Sequence, residues 1–192
     1  LSPTFAPLHR PQADLHFCTP IIISMATTLS SLSSLLDSAG IKHRLKDDVI
    51  RTGFSTDLYT DEDGDHGVSI LIRLDEDGEL LRVQAPMAYR MPKDASPETQ
   101  AAVLRTINQL NWESKILQVE MDLEDGEIRF GADFPLEDGQ PTEQQLTRLV
   151  RLIPSLIDMA HLPLRDALEK AIPMPTEAEI SRRFEAFLRD RA

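Results

Sequence analysis

Asp61, Asp63 and Asp65 alternate in the stretch Asp61-Glu62-Asp63-Gly64-Asp65, the spacing with which a calcium loop begins. The rest of that register fails. His66 stands where the loop needs Gly, and Ile72 stands where it needs the bidentate Glu. Acidic turns recur at 75–79 and 124–127, so the carboxylates report turn chemistry, in which Asp bonds its own backbone. The histidines are His9, His16, His43, His66 and His161, and none forms His-x-His, His-x3-His or His-Glu-x-x-His. His161 follows Ala160 near an expected helix end, a place where an imidazole can meet the last carbonyls. Cys18 is alone, so it has no partner for an internal disulfide and cannot build a thiolate metal site. There is no Gly-x-Ser-x-Gly elbow, no Gly-x-Gly-x-x-Gly and no Walker loop. No carboxylate pair is singled out as acid and base. These residues predict no catalytic group, no metal and no cofactor.

Composition narrows the partner instead. The 192 residues carry a net charge of −12, which disfavours nucleic acid and anionic lipid. No apolar run approaches the roughly 20 residues that a membrane span needs. Hydrophobic residues make up 41% of the chain, enough for a packed core, and the lone cysteine suits a reducing, cytoplasmic setting. Pro3, Pro7, Pro11 and Pro20 interrupt the first residues, and Ile21-Ile22-Ile23 is too short for a signal-peptide core. Residues 1–24 are therefore expected to be a disordered arm or an over-extended reading frame, with Met25 as a plausible start.

The elements that must position any site are legible from periodicity. Thr28 caps a first helix over about 28–39, with Leu29, Leu32, Leu35 and Leu36 at helical spacing and Gly40-Ile41 as its stop. A strand comes next near 49–56, where Gly53 suggests a bulge or a close backbone approach. Strands over 67–74 and 79–87 flank Asp75-Glu76-Asp77-Gly78, and strands over 115–123 and 127–134 flank Glu124-Asp125-Gly126. Alternation of period two around Asp-Gly is a strong hairpin signal. Between the hairpins, Ser96 and Pro97 open a helix striped by Val103, Leu104, Ile107 and Leu110, and Trp112 is expected to anchor its end to the sheet. Thr142-x-x-Gln145 opens another ahead of Leu146, Leu149, Val150 and Ile153. Pro154 and Pro163 should kink or break that helix beyond Ile153, leaving a short helix at Leu164–Ile172. Thr176-x-x-Glu179 starts a last amphipathic helix with Ile180, Phe184, Phe187 and Leu188 on one side. That tail helix either packs on its own domain or swaps onto a neighbour or covers a groove.

The order α-β-β-β-α-β-β-α argues an α+β layer sandwich, an antiparallel sheet of about five strands with helices on one face. One face is apolar: Val68, Ile70, Ile72 and Leu74 on one strand, then Leu81, Val83, Ala85 and Met87. Leu117, Val119, Met121 and Leu123, with Ile128, Phe130, Ala132 and Phe134, complete it. The other carries Arg51, Ser69, Arg73, Arg82, Gln84, Gln118, Glu120, Asp122, Arg129 and Asp133, with Leu71, Leu80 and Ile116 among them. It is either a solvated face with cross-strand ion pairs or a docking face with those three aliphatics as anchors. Leu71, Leu80, Ile116, Arg73, Arg82 and Glu120 are the candidate contacts.

The run Leu35-Leu36-Asp37-Ser38-Ala39-Gly40, the strand-turn run 67–87, Ser96 to Trp112 and the hairpin 115–134 together resemble the YbjN family, over roughly residues 28–172. That family is similar in fold to type III secretion chaperones of the Tir-chaperone class. The resemblance implies a small α+β module over 25–172 that dimerises and binds extended protein segments, or acts as a regulator, with no catalytic residues to carry over. The tail helix over 173–192 and residues 1–24 fall outside it. The expected function is a non-enzymatic, chaperone-like module that holds a protein or peptide segment, as a homodimer. The alternative is a regulatory or structural dimer without a client.

Overall fold

The computed structural model describes residues 26–61 and 63–189, with side chains through Arg183. The apolar side chains expected of Phe184, Phe187 and Leu188, and the arm at 1–24, lie outside the described residues. Helix α1 (Leu29–Ser38) begins at Thr28, whose side chain accepts the Ser31 N–H while the Ser31 hydroxyl oxygen accepts the Thr28 N–H. These reciprocal bonds satisfy two amide donors that a helix start leaves orphaned. Leu32 and Leu36 are its fully buried side chains.

Strand β1 (His43–Lys46) then turns through Asp47 and Asp48 into β2 (Val49–Ser55). Both turn residues sit at positive φ, 52° and 55°, the mirror-image geometry that suits a two-residue hairpin. β3 (Gly67–Asp75) and β4 (Leu80–Arg90) form the next hairpin, joined by a one-turn 3-10 helix over Glu76–Gly78. Helix α2 (Pro97–Glu113) crosses over to the hairpin of β5 (Gln118–Met121) and β6 (Glu127–Pro135). The sheet is antiparallel, six-stranded and ordered β1-β2-β3-β4-β6-β5. It has one strand more than the hydrophobic alternation foretold. Gly53 pairs in unbroken register with Ser69, so no bulge lies there. The bulge is in β4 between Ala85 and Tyr89, where Met87 takes φ 53° and its N–H donates to Glu127 Oε1 at 3.0 Å.

Helix α3 (Glu143–Lys170) runs through both prolines without a break. An internal proline loses a hydrogen bond and crowds the preceding turn, at about 3 kcal/mol or more. Here α3 packs on α1, α2, β4 and β6 and buries a long row that includes Leu146, Val150, Ile153, Ile157, Ala160 and Leu164. At about 1.5–3 kcal/mol for each large side chain, that burial outweighs the two prolines. Helix α4 (Glu177–Arg189) starts as expected, with Thr176 Oγ1 accepting the Glu179 N–H and Glu179 Oε2 accepting the Thr176 N–H at 2.8 Å.

The core lies between the helices and the inward sheet face: Ile50, Ile70, Ile72, Leu81, Val83, Ala85, Val119, Ile128, Phe130 and Ala132 are all buried. Met87 and Leu123 fall outside it and are exposed, Met87 at the bulge and Leu123 in the turn after β5. Trp112 is 83% exposed and anchors nothing, because it sits about 200° around α2 from buried Leu110. Leu104 is exposed as well, and Ala102 and Thr106 take part in the buried stripe. The outer edge of β5 is covered at its centre. The Asn111 side-chain amide accepts the Val119 N–H at 2.7 Å and donates to the Val119 carbonyl at 3.0 Å, replacing a neighbouring strand there.

Candidate functional site

The register places the polar residues on the sheet face away from the helices, as their alternation indicated. Arg73 stands opposite Arg82, and Arg82 opposite Asp133. The Arg82 guanidinium donates twice to Asp133, from Nε and Nη2 at 3.0 Å each, and its Nη1 lies 3.1 Å from Asp75. Those bonds to Asp133 hold Arg82 above its ordinary pKa. On the last two strands Arg129 donates to Glu120 at 2.8 Å. Both sets are partly solvated, so each contributes at most about 1 kcal/mol.

The six candidate contacts do not form one patch. Leu71 and Arg73 are neighbours on β3, beside Leu80 and Arg82 on β4, whereas Glu120 lies across β6 on the edge strand. Leu71 is only 8% exposed and offers little apolar surface. Leu80 is half-buried at the sheet's end, between Asp75 and Pro135. Ile116 precedes β5 and belongs to no strand. With its neighbour Leu117 it lines a cleft of about 320 Å³ against Leu152, Leu156 and Met159 of α3. Ile116 and Met159 are about half exposed at this cleft, and Arg148 is its charged lining residue on α3. Sequence alternation put Ile116 on the sheet face because it shares parity with Gln118 and Glu120. The signal that would have found the cleft is the apolar pair Leu152 and Met159 at helical spacing outside the fully buried row.

His161 lies within α3 rather than at a helix end, and it is buried. Its Nδ1 is 3.0 Å from the Tyr89 hydroxyl, and its ring meets Tyr59 edge-on with centroids 6.1 Å apart. Burial, helped by Arg165, keeps its pKa below the usual imidazole value, and burial pushes the Tyr89 phenol well above its own. One turn earlier, Asp158 accepts the backbone N–H groups of Asp57, Leu58 and Tyr59, each at 2.9 Å. Partial burial works to raise its pKa, and the three donors outweigh that and leave it lowered. This cluster fixes the loop after β2 to α3.

Ser33 and His43 form a hydroxyl–imidazole pair at 2.5 Å. His43 Nδ1 is held by the Ile41 carbonyl at 2.9 Å, with Asp37 4.0 Å away. The clefts along α2, α3 and β5 do not include these residues, so the contact reads as a tie between α1 and β1. At Asp61 the carboxylate accepts the N–H groups of Asp63 and Asp65, at 3.1 and 2.9 Å, which is the turn chemistry expected there. Among the described residues no group of three or more His, Cys, Asp or Glu is placed to hold a metal ion. No helix among them is long and apolar enough to cross a membrane.

The described residues thus define an α+β layer protein, an antiparallel six-stranded sheet with helices packed on one face and clefts along α2, α3 and β5. The chain belongs to the YbjN family: the family model, described as "Putative bacterial sensory transduction regulator", matches residues 28–164. A comparison with curated proteins found no match.

Proposed function

We propose that this chain is a non-enzymatic regulatory module of the cytoplasm that holds a segment of another protein, working as a homodimer in a chaperone-like manner. The observation that carries this reading is the apolar cleft of about 320 Å³ between Ile116 and α3. Its lining is mainly aliphatic and thioether, with Lys115 and Arg148 as its charged members, and suits a few apolar side chains of a segment laid against the helix layer. Nothing in that lining is arranged as nucleophile, base or metal ligand. The net charge of −12 disfavours nucleic acid and anionic membrane as alternatives. A second reading, a dimer without a client, is favoured by the sheet face left without helices.

Native mass spectrometry of the protein purified gently from its own cells tests both. Stoichiometric extra polypeptide on a dimer supports the first reading, and Ile116→Asp with Met159→Asp should release that mass without lowering the melting temperature. A bare dimer supports the second. A bare monomer overturns both.

A further inference from the structure

The two halves of the open sheet face are neutralised differently. On β4, β6 and β5, Arg82 is satisfied by Asp133 and by Asp75 at the end of β3, and Arg129 by Glu120. On β1, β2 and β3, Arg44 stands directly opposite Arg51, and Arg51 directly opposite Leu71, two residues from Arg73. None of Arg44, Arg51 and Arg73 makes an ion pair or hydrogen bond among the described residues, and Lys46 beside them reaches only Asp47, at 3.6 Å. Like charges directly opposite on neighbouring strands cost stability. A chain with 32 acidic and 20 basic residues has left three arginines together where no carboxylate among the described residues pairs with them. The helices pack on the other face, so among the described residues no helix covers these side chains. In the same row Gln84 is nine-tenths buried, lies against Gly131, and makes no side-chain hydrogen bond among the described residues.

We propose that Arg44, Arg51 and Arg73 form a docking surface for an extended acidic segment of a partner protein. Three observations select that occupant. Guanidinium groups pair with carboxylates through two parallel hydrogen bonds, which gives binding without a deep pocket. The spacing fits: directly opposed residues are about 4.5–5.5 Å apart and diagonal ones about 7–8 Å, while alternate side chains of an extended segment repeat every ~6.8 Å. Carboxylates on alternate residues therefore meet successive arginines within the reach of these flexible side chains. The rest of the molecule is acidic and repels a long polyanion, so a nucleic acid would gain three contacts and lose them to the surrounding charge. A short acidic segment confined to the patch avoids that repulsion. This surface is separate from the cleft at Ile116 and stands or falls independently of it.

The test uses the full chain and a fluorescein-labelled peptide that alternates glutamate with serine, monitored by anisotropy at increasing salt. Binding should weaken as salt rises, and a matched lysine–serine peptide should not bind. Arg51→Glu should weaken binding about tenfold or more, since it removes a pairing group and adds a repulsive one. Arg44→Glu with Arg73→Glu should do the same. Arg51→Glu should also raise the melting temperature slightly, because it replaces a like-charge pair with an Arg44–Glu ion pair; a structural arginine would lower it. The proposal is overturned if the glutamate peptide does not bind, or if charge reversal leaves its binding unchanged. It is overturned too if a single-stranded oligonucleotide binds through the same arginines more tightly than the peptide.

Discussion

Replacing Asp158 by alanine should detach the loop after β2 from the helix layer, and the geometry sets the size of the effect. The carboxylate accepts three consecutive backbone N–H groups, Leu58 and Tyr59 on Oδ1 and Asp57 on Oδ2. The bonds to Asp57 and Leu58 are exposed, so water replaces the carboxylate there at small cost. The Tyr59 bond is partly buried, and the Tyr59 side chain is 4% exposed against Tyr89, ring centroids 5.3 Å apart. A hydrogen bond to a charged group contributes about 1.5–3 kcal/mol when water cannot substitute, and a few tenths when it can. Asp158→Ala should therefore lose about 2–3 kcal/mol in urea unfolding, with faster amide exchange confined first to 57–59. Asp158→Asn can keep the Oδ1 carbonyl for two donors while its NH2 faces the Asp57 N–H, and should lose about half as much. The pH dependence has a fixed sign. A carboxylate lowered in the folded state adds stability above its unfolded value near ~3.9 and loses it as pH falls through the folded value. The gap between wild type and Asp158→Ala should thus be full at neutral pH and close in acid. A loss below about 0.5 kcal/mol with unchanged exchange at 57–59 would refute the assignment of this carboxylate as the loop's tether.

Two further outcomes rest on close contacts and burial. Gly126 takes φ 80°, and a Cβ there would collide with the Met91 carbonyl oxygen, whereas Gly64 at φ 85° has open space around it. Gly64→Ala should cost only the left-handed backbone penalty of about 1–2 kcal/mol, and Gly126→Ala clearly more, since its N–H and carbonyl tie the turn to Asp122 and Met91. Equal losses in melting experiments would show that the clash relaxes freely. His161 is held neutral by burial and by Arg165, against the pull of Asp158 and Glu169 and with a small push from His66. Because its folded pKa is lowered, the wild type should lose stability as pH falls below about 6.5 toward the folded value. His161→Gln should flatten that slope between pH 7 and pH 5.5, and an unchanged slope would assign it to another group.

The elements that sequence displays best are those with a single physical determinant. The hairpins around Asp77-Gly78 and Asp125-Gly126 are visible because alternation fixes a face and glycine supplies the positive φ, 101° and 80°. β1 escapes because its turn, Asp47-Asp48, contains no glycine, and because a four-residue strand holds too few alternations to register. The prolines of α3 mislead for the opposite reason. Local propensity does oppose a helix there, and tertiary burial along α3 overrides it. Trp112 and His161 are within reach of periodicity alone: Trp112 is two residues from Leu110 and must face away, while His161 keeps the spacing of Ile157 and Leu164 and must face in.

The candidate site is harder, because its chemistry depends on register rather than on residue type. Counting along the chain finds arginines and carboxylates alternating through β2, β3, β4 and β6, which suggests a face full of ion pairs. Only the pairing tells which arginines have carboxylates beside them. Asp133 falls opposite Arg82, and Glu120 opposite Arg129, while Arg51 meets Arg44 and Leu71. Arg44 itself cannot be counted until β1 is known to exist. An edge strand of four residues thus decides whether half of the open face is balanced or cationic, and its polar character is what hides it from a search for hydrophobic alternation. The same logic separates Ile116 from the sheet. β5 begins at Gln118, three residues later than the strand expected from 115, and that shortening moves Ile116 from an outward sheet position into the cleft beside α3.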